Sequence, residues 1–206
     1  MQMGSWYAHK LATTFSMSVA PAGSSATPYD DRGWTTFERA VSQLIKAASA
    51  RSWRRLADAS VVRTVGPCGG AYIAPPMHPR AFAALLARKV FTNVRSDCEL
   101  VAGLYYDTLV GALGHTEQLT YGSCGWGDEE VAKLAEVLEW AREARKLQLA
   151  GNPRIGRKGY AALAAALGDA RVAPKLRWIV VSYPKAASAT ELRAACEARG
   201  IKLKAL

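Results

Sequence analysis

The chain has 206 residues, of which 50% are hydrophobic and 21% are charged, as in a folded protein of one or two domains. Lys and Arg outnumber Asp and Glu by 27 to 17, and this net charge of +10 favours an anionic partner such as nucleic acid. The surplus is spread over both halves, which is more typical of a solvated surface. No apolar stretch has the length that a membrane span needs, and the first residues lack the pattern of a secretory signal.

The cysteines and histidines give no sign of a disulfide framework or a metal site. Four cysteines are far apart and form no CxxC pair: Cys68, Cys98, Cys124 and Cys196. Without a sign of export, they predict free buried thiols in a reducing compartment, so we expect a cytoplasmic protein. Three isolated histidines have no partner at metal-ligand spacing: His9, His78 and His115. The sequence therefore predicts no metal and no cofactor.

The first part of the chain alternates short apolar runs with amphipathic segments. β-branched residues predict a strand near Thr13–Val19, and a second apolar run predicts another strand at Ser60–Val65. Between them a helix is expected near Thr35, because Thr35 and Glu38 have the spacing of a capping box. Its predicted buried stripe consists of Phe37, Val41, Leu44 and Ile45.

Two more helices are predicted before residue 112. The pair His78 and Pro79 indicates a helix start, after which Phe82, Leu85 and Leu86 are expected to face inward. Ser96 and Glu99 form a second capping-box pattern, which predicts a helix beginning there. Its expected inward residues are Leu100, Val101, Leu104, Tyr105 and Leu109.

A short motif near the first predicted helix carries a partial resemblance. Arg32, Gly33 and Trp34 are followed after three residues by Glu38, behind a strand and a loop. This arrangement resembles the later part of Toll/interleukin-1 receptor (TIR)-like domains, over residues 6–67. The resemblance implies a nucleotide pocket and, as in NAD-cleaving members, a catalytic role for Glu38. The upstream parts of such a domain have no counterpart here, so we expect a remnant or a piece of a longer protein, with Glu38 only capping its helix.

The last part of the chain contains an internal repeat. Two copies place two apolar residues at alternate positions and a Cys or Asn three residues later: Leu119, Tyr121 and Cys124, then Leu147, Leu149 and Asn152. A third copy has Ile179 and Val181 at the apolar positions. Alternate residues of a strand point to one face, so these pairs should enter the core. The Asn or Cys should satisfy backbone groups at the turn that follows.

An amphipathic helical segment follows each of the first two copies. Residues 147–167, taken together, look like a leucine-rich repeat of the ribonuclease-inhibitor type, and the resemblance extends over residues 117–203. It implies short parallel strands with helices on their outer side, stacked as a solenoid. The helix expected near Thr190–Arg199 and the run Ile201–Leu203 would then form a terminal cap.

The predicted fold class is therefore α/β. We expect a partly TIR-like α/β and helical segment over residues 1–112, packed on a short leucine-rich-repeat solenoid with its cap over residues 113–206. Trp126, Trp140 and Trp178 fall within the repeat units, where core packing or a contact on the repeat face is expected.

The leucine-rich-repeat resemblance implies a non-catalytic module that binds a protein partner. Thr120, Gln148 and Val180 alternate with the buried strand residues and are predicted to face that partner. One alternative is a TIR-like, NAD-cleaving or nucleotide-binding signalling protein that uses Glu38. A second is a nucleic-acid binder, whose basic residues would be Arg51, Arg54, Arg55, Arg154, Arg157 and Lys158.

Overall fold

The computed structural model describes residues 7–8, 14–17, 25–44, 62–65, 74–182 and 189–206. Six residues singled out from the sequence lie outside these ranges: His9, Ile45, Arg51, Arg54, Arg55 and Cys68. The described chain is an α/β protein, as predicted, and its main sheet is parallel.

The described residues before residue 115 include one strand pair and three α-helices. The elements are β1 (Thr14–Met17), α1 (Gly33–Ser42), β2 (Val62–Val65), α2 (Pro79–Leu86) and α3 (Val94–Gly114). β1 and β2 pair in parallel and lie within the two regions where strands are predicted. His78 begins α2 as predicted, because its side chain accepts a hydrogen bond from the Arg80 backbone N–H at 3.2 Å.

The rest of the chain alternates strands with helices. The elements are β3 (Gln118–Thr120), α4 (Asp128–Val137), β4 (Lys146–Gln148), α5 (Arg157–Leu167), β5 (Trp178–Val181), α6 (Thr190–Ala198) and β6 (Lys202–Ala205). The four strands form one sheet in the order β3-β4-β5-β6, and every neighbouring pair is parallel. Parallel neighbours need a crossover connection, and α4, α5 and α6 supply the three crossovers.

One face of this sheet is buried against the crossover helices. Leu119, Leu147 and Ile179 occupy matching positions on β3, β4 and β5, and each is at most 1% exposed. Tyr121 and Leu149 follow directly after β3 and β4 and are equally buried. The predicted burial of the alternating apolar pairs is therefore confirmed.

The hydrophobic core is continuous from the first described helix to the last strand. It runs from Phe37 on α1 to Ile201 before β6 and includes side chains from every crossover helix. The Tyr121 hydroxyl donates a hydrogen bond to the Leu44 carbonyl oxygen at 2.7 Å, at the end of α1. The helical part of the chain therefore packs directly against the β3 side of the four-stranded sheet.

The predicted capping box at Thr35 and Glu38 is wrong. α1 already begins at Gly33 with Arg32 as its N-cap, so Thr35 lies inside the first turn. The Thr35 hydroxyl donates to the Arg32 carbonyl oxygen at 3.0 Å. The Glu38 carboxylate instead accepts a hydrogen bond from the Tyr7 hydroxyl at 3.0 Å. Glu38 therefore holds an N-terminal residue against α1 and does not cap the helix.

The second predicted capping box is wrong for a related reason. α3 begins at Val94 after Asn93, so Ser96 lies within the helix and its hydroxyl donates to the Asp97 carboxylate at 3.4 Å. Residues three apart share one face anywhere in a helix, so capping-box spacing alone does not locate a helix start. Leu100, predicted to face inward, is 53% exposed.

Two buried tyrosines predict how stability changes at alkaline pH. The Tyr105 hydroxyl donates to the Met77 carbonyl oxygen at 2.7 Å, as Tyr121 does to Leu44, and burial raises the pKa of both phenols. In the unfolded chain these groups ionise near their ordinary pKa of about 10, while in the folded chain they stay protonated. Their contribution to the free energy of unfolding is therefore fully present below about pH 10. It is lost as the pH rises further, by up to about 1.4 kcal/mol per pH unit for each tyrosine.

Urea unfolding at about pH 8 and about pH 11 measures this loss. Tyr121→Phe removes one such group, so its free energy of unfolding should fall less steeply with pH than that of the wild type. Tyr106→Phe, at a position that is 46% exposed, is the matched control. If the free energy of unfolding falls equally with pH in the wild type and in Tyr121→Phe, burial of this hydroxyl does not cause the loss of stability at alkaline pH.

Candidate interaction surface

The four-stranded sheet presents a second face, opposite to the side that packs on the helices. We call it the strand face and define it by eight outward positions: Gln118, Thr120, Lys146, Gln148, Trp178, Val180, Lys202 and Lys204. The register aligns them in two rows across the strands. The first row is Gln118, Lys146, Trp178 and Lys202, and the second is Thr120, Gln148, Val180 and Lys204.

Two of the three predicted contact residues are accessible, and one is not. Thr120 and Gln148 are half-buried positions of the second row. Val180 also lies on this face, as predicted, but it is only 4% exposed and so offers little side-chain surface to a partner. Val180 lies between Gln148 and Lys204 in register, and a short side chain flanked by two longer ones is shielded from water.

Trp178 is the most exposed large apolar side chain of the sheet, at 43%. In the first row it lies between Lys146 on β4 and Lys202 on β6. Adjacent strands are about 4.8 Å apart, so the two lysines are separated by roughly 10 Å across the indole. Strand alternation could have identified this residue, because Trp178 directly precedes the buried Ile179.

The strand face carries positive charge that nearby carboxylates do not neutralise. Three of its eight positions are lysines, and none is Asp or Glu. Among the described residues, no carboxylate forms an ion pair with Lys146, Lys202 or Lys204. The face also contains an unsatisfied acceptor, because the buried side-chain oxygen of Gln148 (Oε1) has no hydrogen-bond partner within the described ranges.

Two cations near the strand face, in contrast, are paired with acids. Arg145 Nε lies 3.7 Å from a carboxylate oxygen of Glu117, next to the start of β3. Lys175 Nζ lies 2.7 Å from Glu143, and this hydrogen bond holds the pKa of the Glu143 carboxyl below its usual value. Arg145 and Lys175 therefore differ from the three strand-face lysines, which have no carboxylate partner among the described residues.

A buried asparagine fixes the turns that follow β3 and β4. The Asn152 side-chain N–H groups donate to the carbonyl oxygens of Tyr121 at 2.7 Å and Leu149 at 2.8 Å. Its side-chain carbonyl oxygen accepts from the backbone N–H groups of Cys124 and Trp126, both at 3.0 Å. The predicted role of Asn152 is confirmed, and it links two consecutive turns as well as satisfying its own.

The described thiols are free, and two of them are buried. Cys124 and Cys196 have no disulfide partner, and Cys98 is a free, partly exposed thiol. Burial raises the pKa of the Cys124 and Cys196 thiols to about 11. Both therefore remain protonated at neutral pH and serve as core side chains rather than as nucleophiles.

The three described basic residues of the nucleic-acid alternative lie just before α5 or in its first turn. Arg154 donates to the Gly125 carbonyl oxygen, and Arg157 forms an ion pair with Glu191 at 3.0 Å. Lys158 is exposed on the first turn of α5. Two of the three described cations of this group are thus already bonded to protein atoms.

A cavity of about 230 Å³ lies between α1 and α2. Its lining includes Thr35, Arg39, Phe82 and Tyr105, but not Glu38. Glu38 contacts Tyr7 instead, so it does not contribute to this cavity.

Comparison with protein-family models, with curated proteins and with solved structures finds no match to this chain. None of the described helices is both long enough and apolar enough to cross a membrane. Within the described ranges, no three His, Cys, Asp or Glu side chains come together as metal ligands could.

Proposed function

We propose that this chain is a non-catalytic interaction module of the leucine-rich-repeat type that binds a protein partner through the strand face. The observation that carries the proposal is the exposure of Trp178 in the middle of the first row. An exposed tryptophan costs free energy in water, and tryptophans are enriched among the residues that dominate binding at protein interfaces.

The repeated arrangement of the C-terminal part supports the leucine-rich-repeat assignment. Leu119, Leu147 and Ile179 recur at matching strand positions, and Asn152 joins one turn to the next. β3, β4 and β5 are each followed by a helix on the opposite face of the sheet. Such stacking leaves one continuous strand surface accessible, and these surfaces are where repeat proteins commonly bind partners.

The proposed contact set differs from the one predicted from sequence. Thr120 and Gln148 remain in it, and Val180 is removed because it is buried. Trp178 becomes its central residue, and the three strand-face lysines surround that residue. An apolar centre with a polar rim is the usual arrangement of an interface hot spot.

Trp178→Ala tests the proposal. Partners recovered on the immobilised wild-type chain are purified, and their affinities for wild type and variant are measured by calorimetry. We expect Trp178→Ala to weaken at least one partner about 30-fold, equivalent to about 2 kcal/mol. Tyr106→Ala, which removes a similarly exposed aromatic side chain from α3, should change that affinity less than about twofold.

The result is interpretable only if both variants fold, so their circular dichroism and melting temperatures are compared with those of the wild type. Partners that bind folded Trp178→Ala as tightly as the wild type would contradict a binding role of the strand face. Loss of affinity in Tyr106→Ala instead would move the interface to α3.

A further inference from the structure

We propose that the strand face recognises an acidic, extended peptide segment of its partner, with an apolar side chain placed on Trp178 and carboxylates placed on the neighbouring lysines. This inference rests on the proposed function and specifies its partner chemistry. The combination of an exposed indole and unpaired lysines in one row carries it.

The positions of the three lysines fit a segment of this kind. Lys146 and Lys202 flank Trp178 on either side, about 10 Å apart across the strands. Lys204 follows Lys202 at the next outward position of β6, about 7 Å along the strand. Alternate residues of an extended peptide have the same spacing of about 7 Å, so two carboxylates at alternate positions can meet Lys202 and Lys204.

Charge complementarity indicates that the partner segment is negatively charged. The strand face has three lysines and no Asp or Glu, and no described carboxylate pairs with these lysines. A basic partner would be repelled, and a neutral one would leave the lysines without counter-charges beside a buried apolar contact. An acidic segment gains contacts with all three lysines at once.

The same charges are arranged less well for nucleic acid. Binding a polyanionic backbone needs a track of cations that follows several phosphates. The free lysines of the strand face occupy only two adjacent rows, around one indole. Arg154 and Arg157, which would have to extend the track, are bonded to Gly125 and Glu191. The observations therefore favour a peptide.

The test uses fluorescein-labelled peptides and the full chain. The probe is a nonapeptide with glutamates at alternate positions around a central phenylalanine, and its control has glutamines in place of the glutamates. Fluorescence anisotropy should show that the glutamate peptide binds about tenfold more tightly, as three exposed ion pairs allow. Raising the salt from about 50 mM to about 300 mM should remove most of the difference.

Matched triple variants assign the binding to the strand face. Lys146→Gln, Lys202→Gln and Lys204→Gln together should weaken the glutamate peptide about tenfold. The control variant carries Lys133→Gln, Lys158→Gln and Arg193→Gln, one exposed cation on each of α4, α5 and α6. It changes the net charge equally and should bind the peptide within about twofold of the wild type.

Three outcomes would overturn the inference. Equal affinity of the two peptides would leave Lys202 and Lys204 only the role of protecting the edge strand β6 against strand pairing. The control triple variant could weaken binding as much as the strand-face triple variant, which would show attraction by net charge alone. A single-stranded oligothymidine could bind more tightly than the peptide and depend on Lys146, Lys202 and Lys204, which would assign the surface to nucleic acid.

Failure of this inference is distinguishable from failure of the proposed function. If neither peptide binds but the affinity of a purified partner still depends on Trp178, the strand face remains the proposed binding surface. Only the inference that it prefers acidic segments is then wrong. If the affinity of no partner depends on Trp178, the proposal that the strand face binds a partner is wrong.

Discussion

We expect Asn152→Ala to lower the free energy of unfolding by about 3–5 kcal/mol. Asn152 is 1% exposed, and its amide bonds four backbone groups of two consecutive turns. Alanine would leave two N–H groups, of Cys124 and Trp126, and two carbonyl oxygens, of Tyr121 and Leu149, without these partners. A buried polar group that loses its partner costs about 1–3 kcal/mol, and partial entry of water limits the sum.

Urea unfolding monitored by circular dichroism measures this effect. Asn93→Ala is the matched control, because Asn93 precedes α3, is exposed and forms no capping hydrogen bond through its side chain. It should change the free energy of unfolding by less than about 0.5 kcal/mol. If Asn152→Ala were as mild as this control, the turns after β3 and β4 would not depend on the asparagine amide.

We expect Leu149→Ala to destabilise the chain by about 2–5 kcal/mol. Leu149 is fully buried directly after β4, and its backbone N–H donates to the Val180 carbonyl oxygen at 2.7 Å. Truncation leaves a cavity between the sheet and the helices that cover it, and the neighbouring strands restrict how far the core can collapse into it.

Leu100→Ala is the control for Leu149→Ala, since Leu100 is 53% exposed on α3. It removes the same atoms from the surface and should change the free energy of unfolding by less than about 0.5 kcal/mol. A thermal melt of Leu149→Ala that coincides with that of the wild type would contradict the strand register described above.

The strands and the buried turn could be predicted because their signals are local. Alternation of period two identified Leu119, Leu147 and Ile179, and an asparagine after an apolar pair identified the turn at Asn152. Both signals arise within a few residues of the chain.

The start of α1 could not be predicted because contacts distant in sequence determine it. The Gly33 backbone N–H donates to the Val90 carbonyl oxygen at 3.0 Å, and the Val90 N–H donates to the Asp31 carbonyl oxygen at 2.7 Å. This bridge fixes the chain just before Gly33, so the helix begins ahead of the Thr35 and Glu38 pattern. The glycine is required there, because a side-chain atom at Gly33 would lie 1.9 Å from the Phe91 ring.

The candidate surface was only partly predictable for a similar reason. Alternation places Thr120, Gln148 and Val180 on one face, but it does not show that long neighbouring side chains cover the valine. The flanking of Trp178 by Lys146 and Lys202 depends on the register of three separate strands. That register becomes visible only when the strands are assembled into a sheet.

Covalent footprinting of the complex with a purified partner tests most directly whether the strand face binds. The free and bound chains are exposed to hydroxyl radicals, and the modification of individual side chains is quantified by mass spectrometry. We predict that Trp178 becomes strongly protected in the complex, while the exposed Tyr106 on α3 reacts equally in both states. Unchanged modification of Trp178, with protection appearing on α4, α5 or α6 instead, would contradict the assignment of the strand face as the binding surface.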